Sequence, residues 1–327
     1  MSPREVLLAA WRLAAEIRPV GERLIHDTFL AQGDGDPLVL QKVNGSVFRD
    51  TDLLMENVAR VSDHLSRKQR AWAPPLVPTA AGRSFAKVAG ETWRLWTYLP
   101  GASALTSVEN DHHAFVAGTG FGRTYRWLQD LEGPRLEDSI PGFLQLGHYL
   151  DEFDSCGGAP ADLAAAVDAG RTLADRFQKR TGYIHGDCRI EHLVLDGAGN
   201  AAGVLDLDTV MWGNWAWEFG DLVRSMSGNR PHPARFEAAA RGYLGEAGVA
   251  ATAEDLVFAP RYTTFMLGVR FLTDHLQGDV YFRTASPGEN LKRATTQFRL
   301  VETMETMERE MTARAETLLA GLPARLP

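Results

Sequence analysis

The chain has 327 residues, 45% of them hydrophobic and 23% charged, which is ordinary globular composition and enough for two domains or two lobes sharing a cleft. Its 34 Lys and Arg against 42 Asp and Glu leave a formal charge of -8, which excludes a generic attraction to nucleic acid or anionic membranes but not a polyphosphate held with a metal ion. Cys156 and Cys188 are too few for a disulfide framework, no uncharged apolar run reaches the roughly eighteen residues of a membrane span, and Arg4, Glu5 and Arg12 are wrong for a signal peptide, so a soluble cytoplasmic protein is expected.

Ser2-Pro3-Arg4-Glu5 has the form of a capping box with proline at the first helical position, and predicts a helix to about Ile17. Apolar or alternating stretches at Arg23–Ala31 and Pro37–Val43 flank the turn at Gly33-Asp34-Gly35-Asp36, a hairpin signal. Leu54, Val58, Val61 and Leu65 form one helical stripe over 51–69. Pro74-Pro75 ends that unit, and Ser84–Val88 and Trp93–Leu99 are two more strands. Residues 20–99 thus predict a small antiparallel sheet carrying one helix.

After the turn Tyr98-Leu99-Pro100-Gly101 the pattern becomes helical: 109–131, 139–154, 160–180, 216–227, 232–247 and 252–276, with a β-rich interlude over Gly182–Asp208. Ser286-Pro287-Gly288-Glu289 is a second candidate capping box, opening a long helix toward residue 320. The expected fold class is α+β, with a β-rich lobe over 1–99, a larger helical lobe over 100–327 and a ligand cleft at their junction.

The interlude carries the chemistry. Phosphoryl transfer needs a carboxylate at the acceptor hydroxyl, a cation near the transferred group and oxygen ligands for Mg²⁺. His185-Gly186-Asp187 places a candidate base, Arg189 a cation two residues on, and Asp206 a second acid after the Gly197–Gly199 turn. Two adjacent hairpin strands can aim both acids into one cleft. One position departs from the kinase pattern: five residues after Asp187 stands His192, not Asn.

His185-Gly186-Asp187, then Leu205-Asp206-Leu207-Asp208-Thr209, then Glu218-Phe219-Gly220-Asp221 resemble the aminoglycoside phosphotransferase and choline kinase family. Leu40–Asn44, Val47–Asp50, Met55–Asn57 and above all Arg270–Phe282 resemble its N-acetylhexosamine 1-kinase branch. The resemblance spans about 20–310 and implies a two-lobed protein-kinase-like fold with ATP and Mg²⁺ in the cleft. It implies Asp187 as catalytic base, Asp206 as principal metal ligand assisted by Asp208, and Arg189 facing phosphate. It implies Thr97–Leu99 as the hinge meeting adenine, and Arg270 and Tyr281 as sugar contacts beside Asp187. Asp221 is expected to be a structural acid bracing the catalytic loop.

Other assignments stay open at this level. Lys42 suits the α/β-phosphate lysine, but strand alternation turns Gln41 to the opposite face, and only one of the two can meet the nucleotide. Glu56 is a candidate partner for that lysine, yet it lies about 200° around the helix from the Leu54 stripe, where a solvated glutamate fits as well. His192 either ligates metal, contacts phosphate or does neither. Gly118-Thr119-Gly120-Phe121-Gly122 lacks a preceding strand and the phosphate-loop register, so a closely packed helix is expected. His185, Cys188 and His192 could make a zinc site, but neither C-x-x-C nor H-E-x-x-H accompanies them. The sequence therefore predicts an ATP-dependent kinase for a small-molecule hydroxyl, most simply an amino sugar or N-acetylhexosamine. The alternatives are a nucleotide- or sugar-binding pseudokinase and an aminoglycoside- or choline-type kinase.

Overall fold

The computed structural model describes residues 1–20, 25–99 and 103–322. The first helix, α1 (Pro3–Trp11), starts at the expected capping box: the Ser2 side chain accepts from Glu5 N–H and the Glu5 carboxylate accepts from Ser2 N–H. It stops well before Ile17 because Arg12 takes a left-handed conformation, and the chain continues as strand β1 (Glu16–Pro19). Then come β2 (Asp27–Gln32), β3 (Leu38–Lys42), α2 (Thr51–Lys68), β4 (Ala86–Val88) and β5 (Glu91–Thr97). The five strands form one antiparallel sheet in the order β1-β2-β3-β5-β4. The first two residues of the stretch expected from Arg23 lie outside the described residues, as do Pro100 and Gly101 of the expected turn.

The two faces of this sheet have different covers. Val6, Leu7 and Trp11 of α1 pack with Leu40, Trp93 and Leu95 on one face. On the other, Leu54, Met55 and Val58 of α2 pack with Trp96, Val43 and Phe48, with Val39 beside them. Asp50 caps α2, accepting from Asp52 and Leu53 N–H, and the predicted stripe Leu54, Val58, Val61 and Leu65 is fully buried.

The rest of the chain is mainly helical. In order it forms β6 (Ser103–Ala104), α3 (Asp111–Leu128), α4 (Leu146–Asp154), α5 (Ala161–Gly170), β7 (Gly182–Ile184), β8 (Leu193–Leu195), β9 (Ala201–Val204) and β10 (Met211–Gly213). Five helices follow: α6 (Trp215–Ser227), α7 (Pro233–Ala247), α8 (Ala253–Leu276), α9 (Glu289–Thr306) and α10 (Glu308–Gly321). The expected helices at 139–154 and 160–180 are shorter, since α4 begins only at Leu146 and α5 tightens into a 3₁₀ turn from Arg171.

The glycine run is a packing surface, not a phosphate loop. A Cβ on Gly118 would lie 2.1 Å from Ala239 O and one on Gly122 2.5 Å from Tyr243 O, so α3 and α7 touch backbone to backbone. The second capping box is not formed: Gly288 is the N-cap of α9, and Glu289 accepts from Ala285 N–H instead. The long last helix breaks at Met307 into α9 and α10. No helix among the described residues is long and apolar enough to cross a membrane.

Candidate active site

Two short antiparallel sheets, β10–β7 and β6–β8–β9, hold the loops that carry the chemistry. Strand β7 delivers His185, Gly186 and Asp187. Gly186 has φ +83°, and a Cβ there would lie 2.3 Å from Thr209 O, so the loop can press against the following hairpin only with glycine at this position. His185 is fully buried; it donates from Nε2 to Leu205 O at 2.9 Å, and burial pushes its pKa below the usual imidazole range. Its backbone N–H donates to Glu218 Oε2 at 2.7 Å. Glu218, not Asp221 as expected, therefore braces the catalytic loop. Burial raises the Glu218 carboxyl to about 8.

Asp187, Arg189, His192 and Asp206 meet at one point. Arg189 Nε donates to Asp187 Oδ1 at 3.0 Å and Nη2 donates to His192 Nε2 at 3.0 Å. The His192 ring must then carry its proton on Nδ1, which donates to Asp187 O at 3.0 Å. Burial alone would raise Asp187, but the Arg189 guanidinium, which also donates to it, and the neighbouring imidazoles outweigh burial and hold its carboxyl at about 2. Asp187 in turn keeps the Arg189 guanidinium firmly charged. Donor atoms of Asp187, His192 and Asp206 all lie within 4.8 Å of one another. Asp206 has a left-handed backbone, φ 61° and ψ 72°, uncommon for a residue with a side chain and a frequent mark of functional sites.

Two carboxylates at this spacing are hard oxygen donors and fit a divalent ion such as Mg²⁺. The lone pair of His192 Nε2 is already engaged by Arg189. Cys188 is fully buried, with its thiol pushed up by burial, and stands outside that donor group, so the zinc alternative has no support.

The expected assisting ligand has another partner set. Arg94 on β5 donates to both oxygens of Asp208, at 2.5 and 2.8 Å, and His26 Nε2 donates to Oδ2 at 2.5 Å. Asn44 N–H donates to His26 Nδ1 at 3.1 Å, which fixes that tautomer. The Asp208 side chain is 1% exposed and that of Arg94 2%. Burial would raise Asp208; Arg94 and His26 reverse this and hold it well below the usual carboxylate range. Asp208 thus ties the sheet to the loop bearing Asp206, and both of its oxygens are occupied by protein donors.

A cavity of about 310 Å³ lies between sheet and hairpin, lined among others by Val39, Gln41, Arg94, Thr97, Leu99, His192 and Asp206. The two hinge candidates line this cavity, but Lys42 and Glu56 do not. Lys42 points to the other face of β3 and pairs with Asp27 at 3.1 Å and Glu91 at 3.9 Å. Glu56 is exposed on α2, while its neighbour Met55 is buried with Sδ 4.0 Å from Arg94 Nη1. Gln41 takes the cleft side, its Oε1 accepting from Arg94 Nε at 2.9 Å and Trp96 Nε1 at 2.8 Å. Gln41 was visible as the alternative to Lys42; Arg94 and His26 had no signal in any motif.

A second cavity, about 470 Å³, opens on the helical side, and Asp187, Arg189 and Asp206 line it together with Arg270 and Tyr281. Asp206 thus forms part of the wall of both cavities. Arg270 is caged by four rings: its guanidinium carbon is 5.2, 5.0, 5.3 and 5.2 Å from the centroids of Phe143, Tyr149, Tyr281 and Phe282. The turn presenting Tyr281 is built by buried Asp274, whose carboxylate accepts from Val280, Tyr281 and Phe282 N–H at 2.9, 2.7 and 3.0 Å.

An antiparallel sheet and a larger helical region meeting at a His-Gly-Asp loop, with an acid on the next hairpin, is the protein-kinase-like fold. Residues 16–254 match the model of the phosphotransferase enzyme family, and the chain belongs to that family. It is a small-molecule phosphotransferase. Among solved structures, it is similar to a microcompartment-associated aminopropanol kinase (TM-score 0.69, 15% identity, covering 94% of this chain and 97% of that one). It is also similar to a choline/ethanolamine kinase family protein from Mesorhizobium loti (TM-score 0.67, 19% identity, 97% and 98%). A third is a spectinomycin phosphotransferase in complex with ADP and spectinomycin (TM-score 0.61, 12% identity, 94% and 97%). At these identities the likeness is one of fold.

Proposed function

We propose that the protein is an ATP-dependent kinase that phosphorylates a hydroxyl of an amino sugar or N-acetylhexosamine. The observation that carries this reading is Asp206 on the shared wall of the sheet-side and helix-side cavities, with Asp187 and Arg189 facing the second. Nucleotide in the first cavity and acceptor in the second would meet at these three residues. Asp187, at the acceptor side, takes the hydroxyl proton as the oxygen attacks in line. Arg189, fixed by Asp187 and His192, stabilises the charge on the transferred group. Asp206 and, on its near side, Asp187 would hold Mg²⁺, which when bound supplies positive charge to the nucleotide phosphates. His192 acts in this scheme as a support for Arg189 and not as a ligand.

The acceptor cavity argues against a polycationic acceptor. Arg189, Arg224, Arg270, Lys292 and Arg293 line it with four acids, and of those Asp208 is already neutralised by Arg94. Choline and aminoglycosides call for a surplus of exposed negative charge, which this wall lacks. Apolar Phe143, Leu144, Met266 and Phe271 line the cavity together with these polar groups, as suits a sugar ring with C–H faces and hydroxyl edges.

A coupled ADP-release screen over free hexosamines, N-acetylhexosamines, choline and aminoglycosides tests the reading. Acceptor-dependent ADP release with an N-acetylhexosamine or hexosamine supports it. Release only with choline or an aminoglycoside overturns the acceptor assignment, and none with any acceptor, from protein that binds ATP, favours a pseudokinase.

A further inference from the structure

We propose that Asp221 and Gln297 determine acceptor specificity, accepting hydrogen bonds from two hydroxyl groups of a neutral polyhydroxylated ring bound in the helix-side cavity. The inference rests on the reading that this cavity holds the acceptor, and adds the residues that select it.

Asp221 on α6 and Gln297 on α9 both line the cavity shared with Asp187, and they belong to elements distant in sequence. Each has a buried oxygen without a hydrogen-bond partner among the described residues: Asp221 Oδ2 and Gln297 Oε1. Buried polar atoms are rarely left unmatched, because losing water without a replacement costs free energy. Two residues of one cavity wall that each carry such an atom point to donors arriving with a ligand.

The local geometry of Asp221 is informative. Arg224 places Nε and Nη2 on the same carboxylate oxygen, Oδ1, at 2.9 and 2.7 Å. A guanidinium facing a carboxylate commonly engages both oxygens. Here the fork holds one oxygen and leaves the other unmatched. Arg224 therefore orients Asp221 and leaves Oδ2 without a protein donor. An ionised carboxylate only accepts, so its ligand group is a donor. The nearby cations disfavour an ammonium as that donor, which leaves neutral donors, of which a sugar ring offers mainly hydroxyl groups. Asp221 also lies near enough to Arg189 to support its charge, after the larger contribution of Asp187, which puts the contact close to the reacting centre.

The test uses Asp221→Asn and Gln297→Leu. In Asp221→Asn, the two Arg224 donors keep the amide oxygen on the Oδ1 side, so an NH₂ donor replaces the free acceptor. Gln297→Leu removes an oxygen that has no protein partner to lose. Steady-state KM values for the best acceptor and for ATP are measured for both variants and wild type, with a set of monodeoxy acceptors. The expected result is an acceptor KM raised about tenfold or more in Asp221→Asn and about threefold or more in Gln297→Leu, with ATP KM unchanged. One deoxy analogue should weaken the wild type while adding no further penalty in Asp221→Asn, and a different one should behave so in Gln297→Leu. Unchanged acceptor KM in Gln297→Leu, or deoxy penalties equal in variants and wild type, overturns the proposal even when a sugar is the acceptor. Should Asp221→Asn fail to fold, Gln297→Leu decides. Failure of the parent reading shows in the wild type alone, as transfer to choline or aminoglycosides and to no hexosamine or N-acetylhexosamine.

Discussion

Asp187, Arg189, His192 and Asp206 come from one short stretch of chain, whereas on the sheet side of the cleft His26, Gln41 and Arg94 come from the sheet region, and His26 and Arg94 meet Asp208 across more than a hundred residues of sequence. In the first region, one hairpin and one left-handed residue bring the carboxylates together, so spacing along the chain is nearly spacing in space. In the second, position depends on which face of β3 looks into the cleft. That is decided by α1, which covers the face bearing Leu40 and so sends Lys42 outward with it. A local motif therefore survives translation into three dimensions, and a residue assigned across a sheet does not unless the cover of each face is known.

The largest expected effect lies in the hairpin. Asp187→Asn should fold normally and bind nucleotide but lose about 10²–10⁴ in kcat, because a positioned general base is gone. Wild-type kcat in this variant would remove the local half of the contrast.

On the sheet side, Arg94→Ala leaves Asp208 buried without its fork and should lower unfolding free energy by about 3–5 kcal/mol in urea denaturation. Loss of stability below about 1 kcal/mol would mean that Arg94 and Asp208 do not form the junction between sheet and metal loop.

Glu218 sharpens the comparison through pH. Its folded pKa, about 8, lies above its ordinary 4.5, so between these values the folded state binds more protons than the unfolded one. Its contribution to stability is full below about pH 4.5 and falls as pH rises toward 8. Thermal unfolding of Glu218→Gln should therefore show a flatter pH dependence than wild type across this window. Parallel curves would deny the buried, neutral carboxyl that braces the catalytic loop.

The smallest effect should come from Lys42→Ala. A partly exposed pair with Asp27 is worth roughly 0–1 kcal/mol, and with the side chain outside the cleft the KM for ATP should stay within about twofold of wild type. A large rise in KM for ATP would restore Lys42 as the phosphate lysine.

These contrasts also mark what was legible in the chain. The alternation of β and helical patterns, the stripe of α2, the glycine contact of α3 and the cluster around Asp187 all depend on neighbours a few residues apart or on a single hairpin. The family resemblance pairs Asp208 with Asp206 through the motif Leu205-Asp206-Leu207-Asp208-Thr209. The 3₁₀ turn after Asp206 leaves Asp206 on the wall of both cavities and ties the Asp208 carboxylate to Arg94 and His26. The bracing role expected of Asp221 falls to Glu218. Both lie on α6, and only the packing of that helix decides which acid reaches His185 N–H and which lines the helix-side cavity.

The central claim is phosphoryl transfer across the shared wall at Asp206. It is tested most directly by ³¹P NMR of the wild-type protein with ATP, Mg²⁺ and an N-acetylhexosamine. The account predicts a new sugar-phosphate resonance growing in step with ADP, and none with Asp187→Asn over the same interval. ATP that persists unchanged beside folded, nucleotide-bound protein, or that yields only inorganic phosphate, would contradict it.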